Sequence, residues 1–163
     1  MKKIIHTLLF LWLFISTSLH AQNIETKKTY YADSTLKTEF IYQQGNKNSY
    51  LKTYYKNRTL KKEGWLKNKL KSEFWIYYHP NGKVKSKGLY YLDKKEDWWE
   101  FFDDKERKIR EGSYTHGIKN GYWKFYKNDV LILEGMYKQN KKVGGWKIYN
   151  ENSRLIQVVD YGE

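Results

Sequence analysis

The chain has 163 residues, a formal net charge of +13, no cysteine, and 16 Tyr, 7 Trp and 7 Phe among its apolar residues. This leaves room for one ordinary domain, excludes disulfides, thiolate metal sites and lipidated cysteine, and makes aromatic side chains carry the core. So basic a balance favours acidic partners through non-specific attraction, and says nothing about fold.

The chain opens with Lys2 and Lys3, an apolar stretch from Ile4 to Ile15, and the smaller, more polar Ser16 to Ala21. This reads as a secretory signal peptide over residues 1–21, with cleavage after Ala21. An apolar run of about 12 residues is too short for a membrane-crossing helix, which wants about 20, so no transmembrane span is expected in the mature chain. The expected location is therefore periplasmic, outer-surface or secreted. Loss of Lys2 and Lys3 would leave a mature charge of +11. Export disfavours nucleic acid as the partner. Residues 22–27 form a short polar lead, and residues 28–163 form one repeat domain.

In that domain Lys28-Thr-Tyr-Tyr31 and Thr35-Leu36-Lys37 recur 24 residues later as Lys52-Thr-Tyr-Tyr55 and Thr59-Leu60-Lys61. Four fuller units follow, anchored by Gly64, Gly88, Gly112 and Gly135 and by Trp75, Trp99, Trp123 and Trp146, both series at intervals of 24, 24 and 23 residues. Phe40 and Leu51 stand in the earlier unit where these have glycine and tryptophan. Leu155, Val159 and Tyr161 begin a final half unit. A fixed period of this length implies a repeat architecture with degenerate terminal units, and makes a single buried active site less plausible.

Counted from each glycine, position −4 is Leu60, Val84, Lys108 or Leu131, and position +2 is Leu66, Tyr90, Tyr114 or Tyr137. Their shared parity predicts one sheet face, with glycine as a notch for the tryptophan of the adjacent strand. Tyr77, Phe101, Phe125 and Ile148 follow the tryptophans on that face. Tyr78, Phe102, Tyr126 and Tyr149 have the opposite parity, and are predicted to form a second column on the other face. Short, alternating, aromatic segments of this kind suit half-buried strands. Asp93, Gly117 and Asn140 mark one set of turns; Asn81-Gly82, Asp103-Asp104, Asn128-Asp129 and Asn150 to Asn152 mark the other, with Asn-Gly the strongest hairpin signal. The expected fold is all-β: an elongated antiparallel meander of five to six repeated β-hairpins in a single twisted sheet. Two strand spacings per hairpin give about 9.6 Å of advance per unit and a ribbon about 55 Å long.

The segment Glu111-Gly-Ser-Tyr-Thr-His-Gly-Ile-Lys-Asn-Gly-Tyr-Trp-Lys-Phe-Tyr126 resembles the bacterial variant of the membrane occupation and recognition nexus (MORN) repeat, found in antitoxin-like MORN-variant proteins. In that repeat Gly-x-Tyr, a turn glycine and Gly-x-Trp-x-x-Tyr recur. Gly121 and Gly144 keep its second glycine, nine residues after the anchor, while Glu73 and Asp97 occupy that place in the other two units; Trp65 and Leu66 replace the usual small residue and Tyr. The resemblance covers residues 28–161, most strongly 64–149. It implies a run of hairpins in one elongated sheet used for protein contacts, in some members for phospholipid binding or dimerisation, and it brings no catalytic residues.

Gly64, Gly88, Gly112, Gly135 and the four tryptophans thus read as structural anchors. The candidate contact surface is the opposite aromatic column, Tyr78, Phe102, Tyr126 and Tyr149, together with a basic strip of Lys83, Lys85 and Lys87 that resembles Lys67, Lys69 and Lys71. Such lysines also serve as a solvated face that discourages edge pairing. His79 and His116 lie near turns in separate units, without a nucleophile or metal motif. No cofactor, metal or enzymatic activity is therefore expected. The leading expectation is an exported, non-catalytic scaffold binding a protein partner or an anionic envelope surface. The alternative is a carbohydrate- or choline-type cell-wall binder, suggested by Gly64-Trp65 and Trp75-Ile-Tyr-Tyr78.

Overall fold

A computed structural model describes residues 23–163, so the leader reading for residues 1–21 lies outside the described residues. Twelve strands follow one another: β1 (Ile24–Tyr30), β2 (Leu36–Gln43), β3 (Asn48–Tyr54), β4 (Leu60–Lys67), β5 (Leu70–Tyr78), β6 (Val84–Tyr91), β7 (Lys94–Phe102), β8 (Lys108–Thr115), β9 (Ile118–Lys127), β10 (Val130–Lys138), β11 (Lys141–Tyr149) and β12 (Leu155–Asp160). Each pairs antiparallel with its sequence neighbours in one open sheet whose spatial order is the chain order. The all-β hairpin meander expected from the repeat is the fold observed. Among the described residues no helix is long and apolar enough to cross a membrane.

A single cross-strand row explains the period. From β1 to β10 it runs Lys27, Phe40, Leu51, Gly64, Trp75, Gly88, Trp99, Gly112, Trp123 and Gly135, and Trp146 on β11 then faces Val159 on β12. Each indole lies across the glycine of the strand before it. A Cβ on Gly64, Gly88, Gly112 or Gly135 would come within 2.3–2.5 Å of the ring. The indole Nε1 donates to the carbonyl of the residue after that glycine, at Trp65, Leu89, Ser113 and Met136, over 2.9–3.1 Å. All four tryptophans are fully buried. The +2 tyrosines stand edge-on to the next tryptophan, with ring centroids 5.0–5.1 Å apart for Tyr90–Trp99, Tyr114–Trp123 and Tyr137–Trp146. Burial of one such ring removes roughly 150–250 Å² from water, about 4–6 kcal/mol each, so a single sheet coheres without a second layer.

Two backbone irregularities recur. The first shifts register so that Tyr78 faces Val84 while Tyr77 faces Ser86, and Phe102 faces Lys108 while Phe101 faces Arg110. The extra residue moves the −4 position to the face opposite glycine, where parity alone had placed Leu60, Val84, Lys108 and Leu131 beside it. The second is a bulge at +9, where Glu73, Asp97, Gly121 and Gly144 all take positive φ. The repeat's second glycine is therefore a backbone requirement that Glu73 and Asp97 meet against their own preference.

The turns are of two kinds. Asn68-Lys69, Leu92-Asp93, His116-Gly117, Asn128-Asp129 and Gln139-Asn140 are pairs with positive φ at both residues, as two-residue type I′ hairpins need. The Asn81-Gly82 connection is not such a tight turn. It is a five-residue loop closed by His79 N–H to Lys83 O and Gly82 N–H to His79 O, with only Gly82 at positive φ. Asp103 to Arg107 closes in the same way, with Glu106 in the glycine's role. Loops of successive units also bond to each other, as with Tyr55 Oη to Tyr78 O, Asn57 Nδ2 to Pro80 O and Asn81 Nδ2 to Asp104 O.

Candidate binding face

On the tryptophan face, Lys71, Lys95, Lys119 and Lys142 stand seven residues after the four anchor glycines. Register explains their place, because each faces the +2 residue across the hairpin: Leu66, Tyr90, Tyr114 and Tyr137. Their ammonium groups lie 5.7, 4.3, 4.5 and 4.4 Å from the centroids of Trp75, Trp99, Trp123 and Trp146. They also cover Tyr90, Tyr114, Tyr137 and Tyr161 at 4.4–5.0 Å. Arg110 adds a guanidinium 4.5 Å above Phe101. Among the described residues none of these five cations has an ion-pair partner. Burial pulls Lys95 down to about 8, with repulsion from Arg110 and Lys71 adding to it. Lys119 is lowered by burial and then by Arg110 and Lys142. The face therefore holds a recurring lysine in each of the four units over an aromatic floor, with Arg110 added beside Phe101, each short of an anion.

The reverse face is balanced. Its row reads Lys28, Glu39, Lys52, Glu63, Ile76, Lys87, Glu100, Glu111, Lys124, Glu134, Lys147 and Val158, five lysines against five glutamates, mostly alternating across strands. Opposite charges facing across strands stabilise a sheet and cancel its field. The predicted aromatic column does lie here, with all four rings half-buried, and most of it is tied down. Tyr78, Tyr126 and Tyr149 donate to Glu63, Glu111 and Glu134 over 2.5–2.6 Å. Burial and then these bonds push the Tyr78 and Tyr126 hydroxyls well above their ordinary range. Phe102 has no hydroxyl, and the position that holds glutamate in those units is Lys87, whose ammonium lies 5.7 Å from the Phe102 ring. Tyrosine and glutamate are thus lost together within one chain. Exposed aromatics on this face include Trp65, Phe74 and Trp98; Phe74 and Trp98 stand 24 residues apart, each directly before an anchor tryptophan, a repeat position that the parity count did not single out.

The lysine strip is not one surface. Lys83 lies in the loop and bridges Glu106 at 3.4 Å, Lys85 is the extra residue of the register shift, and Lys87 pairs with Glu100 at 3.1 Å on the reverse face. Lys67 and Lys71 are likewise divided by the turn at Asn68-Lys69. The signal that locates the free cations is the recurrence at +7, read as a repeat position rather than as local alternation. His79 Nε2 lies 3.0 Å from Phe102 O in the loop stack, and His116 Nδ1 lies 3.5 Å from Glu96 on an exposed turn. Among the described residues no group of three or more His, Asp or Glu side chains is placed to hold a metal ion.

No family model matches the sequence, and no curated protein matches it.

Proposed function

We propose that the chain is an exported, non-catalytic scaffold of the MORN-variant type whose tryptophan face binds an anionic partner, an acidic protein or an anionic envelope surface. The observation that carries this reading is the ladder Lys71, Lys95, Lys119 and Lys142, none of it ion-paired and all of it set over rings at about 9.6 Å per unit, against a reverse-face row where three of the five lysines, Lys28, Lys87 and Lys147, have glutamate partners. A row of cations without counter-charges attracts a partner with repeated negative charge and holds it less well as salt rises. The glycan or choline reading needs exposed stacking platforms; the four anchor tryptophans are buried, which leaves Trp65 as the largely exposed ring among the residues that suggested it.

The test is co-sedimentation with vesicles containing phosphatidylglycerol, alongside titration with polyglutamate. Each lysine near an anionic surface is worth about 1 kcal/mol. Replacing Lys95, Lys119 and Lys142 with Gln should therefore weaken binding at least about tenfold, and replacing Lys28, Lys87 and Lys147 should not. Affinity should fall as pH rises through about 8, where Lys95 loses its charge. Equal effects of the two triple variants, or salt-insensitive retention on a glycan or choline resin, would overturn the proposal.

A further inference from the structure

The repeat row is complete only from Gly64 onward, and its incomplete end leaves a space. In the full units a tryptophan ring fills the room above each glycine. In the first hairpins Phe40 and Leu51 take those two positions, and Leu51 does not reach across as an indole does. Beside them the tryptophan face opens into a trough of about 990 Å³ across β1 to β5. This lies near the upper end of the roughly 300–1,000 Å³ usual for a single small-molecule site. Phe40, Leu51 and Leu66 supply its apolar lining, backed by the buried Trp75, whose indole Nε1 is already spent on Trp65 O.

The charged lining is lopsided. Five lysines border the trough, Lys27, Lys47, Lys62, Lys69 and Lys71, and none has an ion-pair partner among the described residues. Burial, then repulsion from Lys71 and Lys61, holds Lys62 below its ordinary range. The acid at the margin, Asp93, is committed to backbone: its Oδ1 accepts Lys71 N–H at 2.9 Å and its own N–H donates to Lys71 O at 3.0 Å.

We infer that this trough is a binding site for a long-chain fatty acid, the alkyl chain lying along Phe40, Leu51 and Leu66 and the carboxylate meeting Lys62 and Lys71, whose ammonium groups both lie over Trp75 at the β4–β5 end. Thr29, Ser49 and Asn68 also border the trough, but the strip formed by Phe40, Leu51 and Leu66 offers an alkyl chain apolar contact and offers the polar groups of a peptide or sugar no partner. The carboxylate supplies the counter-charge that Lys62 and Lys71 lack. The site is separate from the ladder over the complete units, sharing only Lys71 with it, and does not rest on the ladder being a binding surface.

The experiment is isothermal titration of the full chain with dodecanoate below its micelle concentration, with dodecanol and butyrate in parallel. One equivalent of dodecanoate should bind, at least about tenfold more tightly than either control. The double substitution Phe40→Gly/Leu51→Trp restores the repeat pattern and fills the trough, and should abolish binding while near-ultraviolet circular dichroism shows a folded chain. Lys62→Gln/Lys71→Gln should bring dodecanoate down to the affinity of dodecanol, whereas Lys95→Gln/Lys119→Gln should leave it unchanged, which separates this site from the ladder. No heat, equal affinity for dodecanol, several equivalents bound along the sheet, or binding retained in the filled variant would each overturn the inference. Should the filled variant unfold, the Lys62→Gln/Lys71→Gln pair decides, since an unchanged preference for the carboxylate refutes the assignment.

Discussion

Replacing Gly112 with alanine tests the packing logic most directly, because alanine at a strand glycine is ordinarily a mild gain of about 0.4–1 kcal/mol through the unfolded chain. Here the added Cβ would sit 2.3 Å from Cδ2 of Trp123 and 2.5 Å from Cε2 and Cγ. Carbon atoms rest about 3.5–4.0 Å apart, so the ring must retreat by more than about 1 Å. Overpacking of this kind costs about 1–3 kcal/mol. Retreat also breaks the Nε1 bond to Ser113 O, now 3.0 Å, and a buried donor left unpaired costs about 1–3 kcal/mol more. The net expectation is a loss of about 2–4 kcal/mol. Urea unfolding followed by tryptophan fluorescence measures it. Gly145→Ala is the control, since its Cβ would meet only the end of Val158 at 3.2 Å, and its change should stay within about 0.5 kcal/mol. In a Trp123→Leu background, Gly112→Ala should lose at least about 1 kcal/mol of its effect, a coupling that a double-mutant cycle reads. An unchanged midpoint for Gly112→Ala, or an additive cycle, would refute the notch.

The +9 bulge makes the opposite prediction. Glu73 and Asp97 hold φ of 61° and 57°. A side chain there costs about 1–2 kcal/mol, while glycine costs about 0.5–1 kcal/mol in chain entropy, so Glu73→Gly and Asp97→Gly should each raise the melting temperature, and a fall would refute the reading. Acid sensitivity should centre on the Tyr–Glu pairs. Burial works against the Glu111 carboxylate, but bonds from Lys108 and Tyr126 outweigh it and bring the folded value below 4.5. The native state then binds fewer protons than the unfolded chain near pH 4, so this contribution is whole above about pH 5 and is lost as pH falls through the folded value. Glu111→Gln should flatten part of the acid limb of a urea-midpoint profile between pH 7 and 3, and an unaltered limb would count against the argument.

The sheet was legible because glycine and tryptophan alternate on one cross-strand row, and a 24-residue spacing is the trace of that row in one dimension. Parity correctly separated Trp75 from Tyr78 and Trp123 from Tyr126, since the extra residue of the register shift there lies on the partner strand. It failed at −4 because a bulge at Lys85 or Ile109 adds one residue, and a period-two count cannot see an extra residue that is neither glycine nor proline. The same bulge scattered Lys83, Lys85 and Lys87. The Asn81-Gly82 signal was real as a positive-φ site but not as a two-residue turn. Strand pairing places Gly82 late in a loop that other units build with Glu106 or Arg58. The free lysines were visible at +7 but unread, because lysine in a strand usually marks solvent, and only the rings beneath Lys95 and Lys119 show otherwise.

The position of Lys95 bears on why the ladder exists. A group held at about 8 by burial is less comfortable as a cation in the folded chain than in water. Methionine would cover Trp99, Phe101 and Tyr114 at similar length with no charge to desolvate, and its sulfur makes favourable contacts with rings. If these lysines served packing alone, the same apolar substitution would suit every unit, yet Lys71, Lys95, Lys119 and Lys142 occupy all four. A binding role resolves this, because an arriving anion supplies the counter-charge missing from the free face. Stability and binding should then move apart in Lys95→Met: a urea midpoint at pH 7 equal to or above that of the unaltered chain, with weaker retention on anionic vesicles. A lowered midpoint with retention unchanged would make Lys95 a packing residue and remove the reason for reading the ladder as a recognition surface.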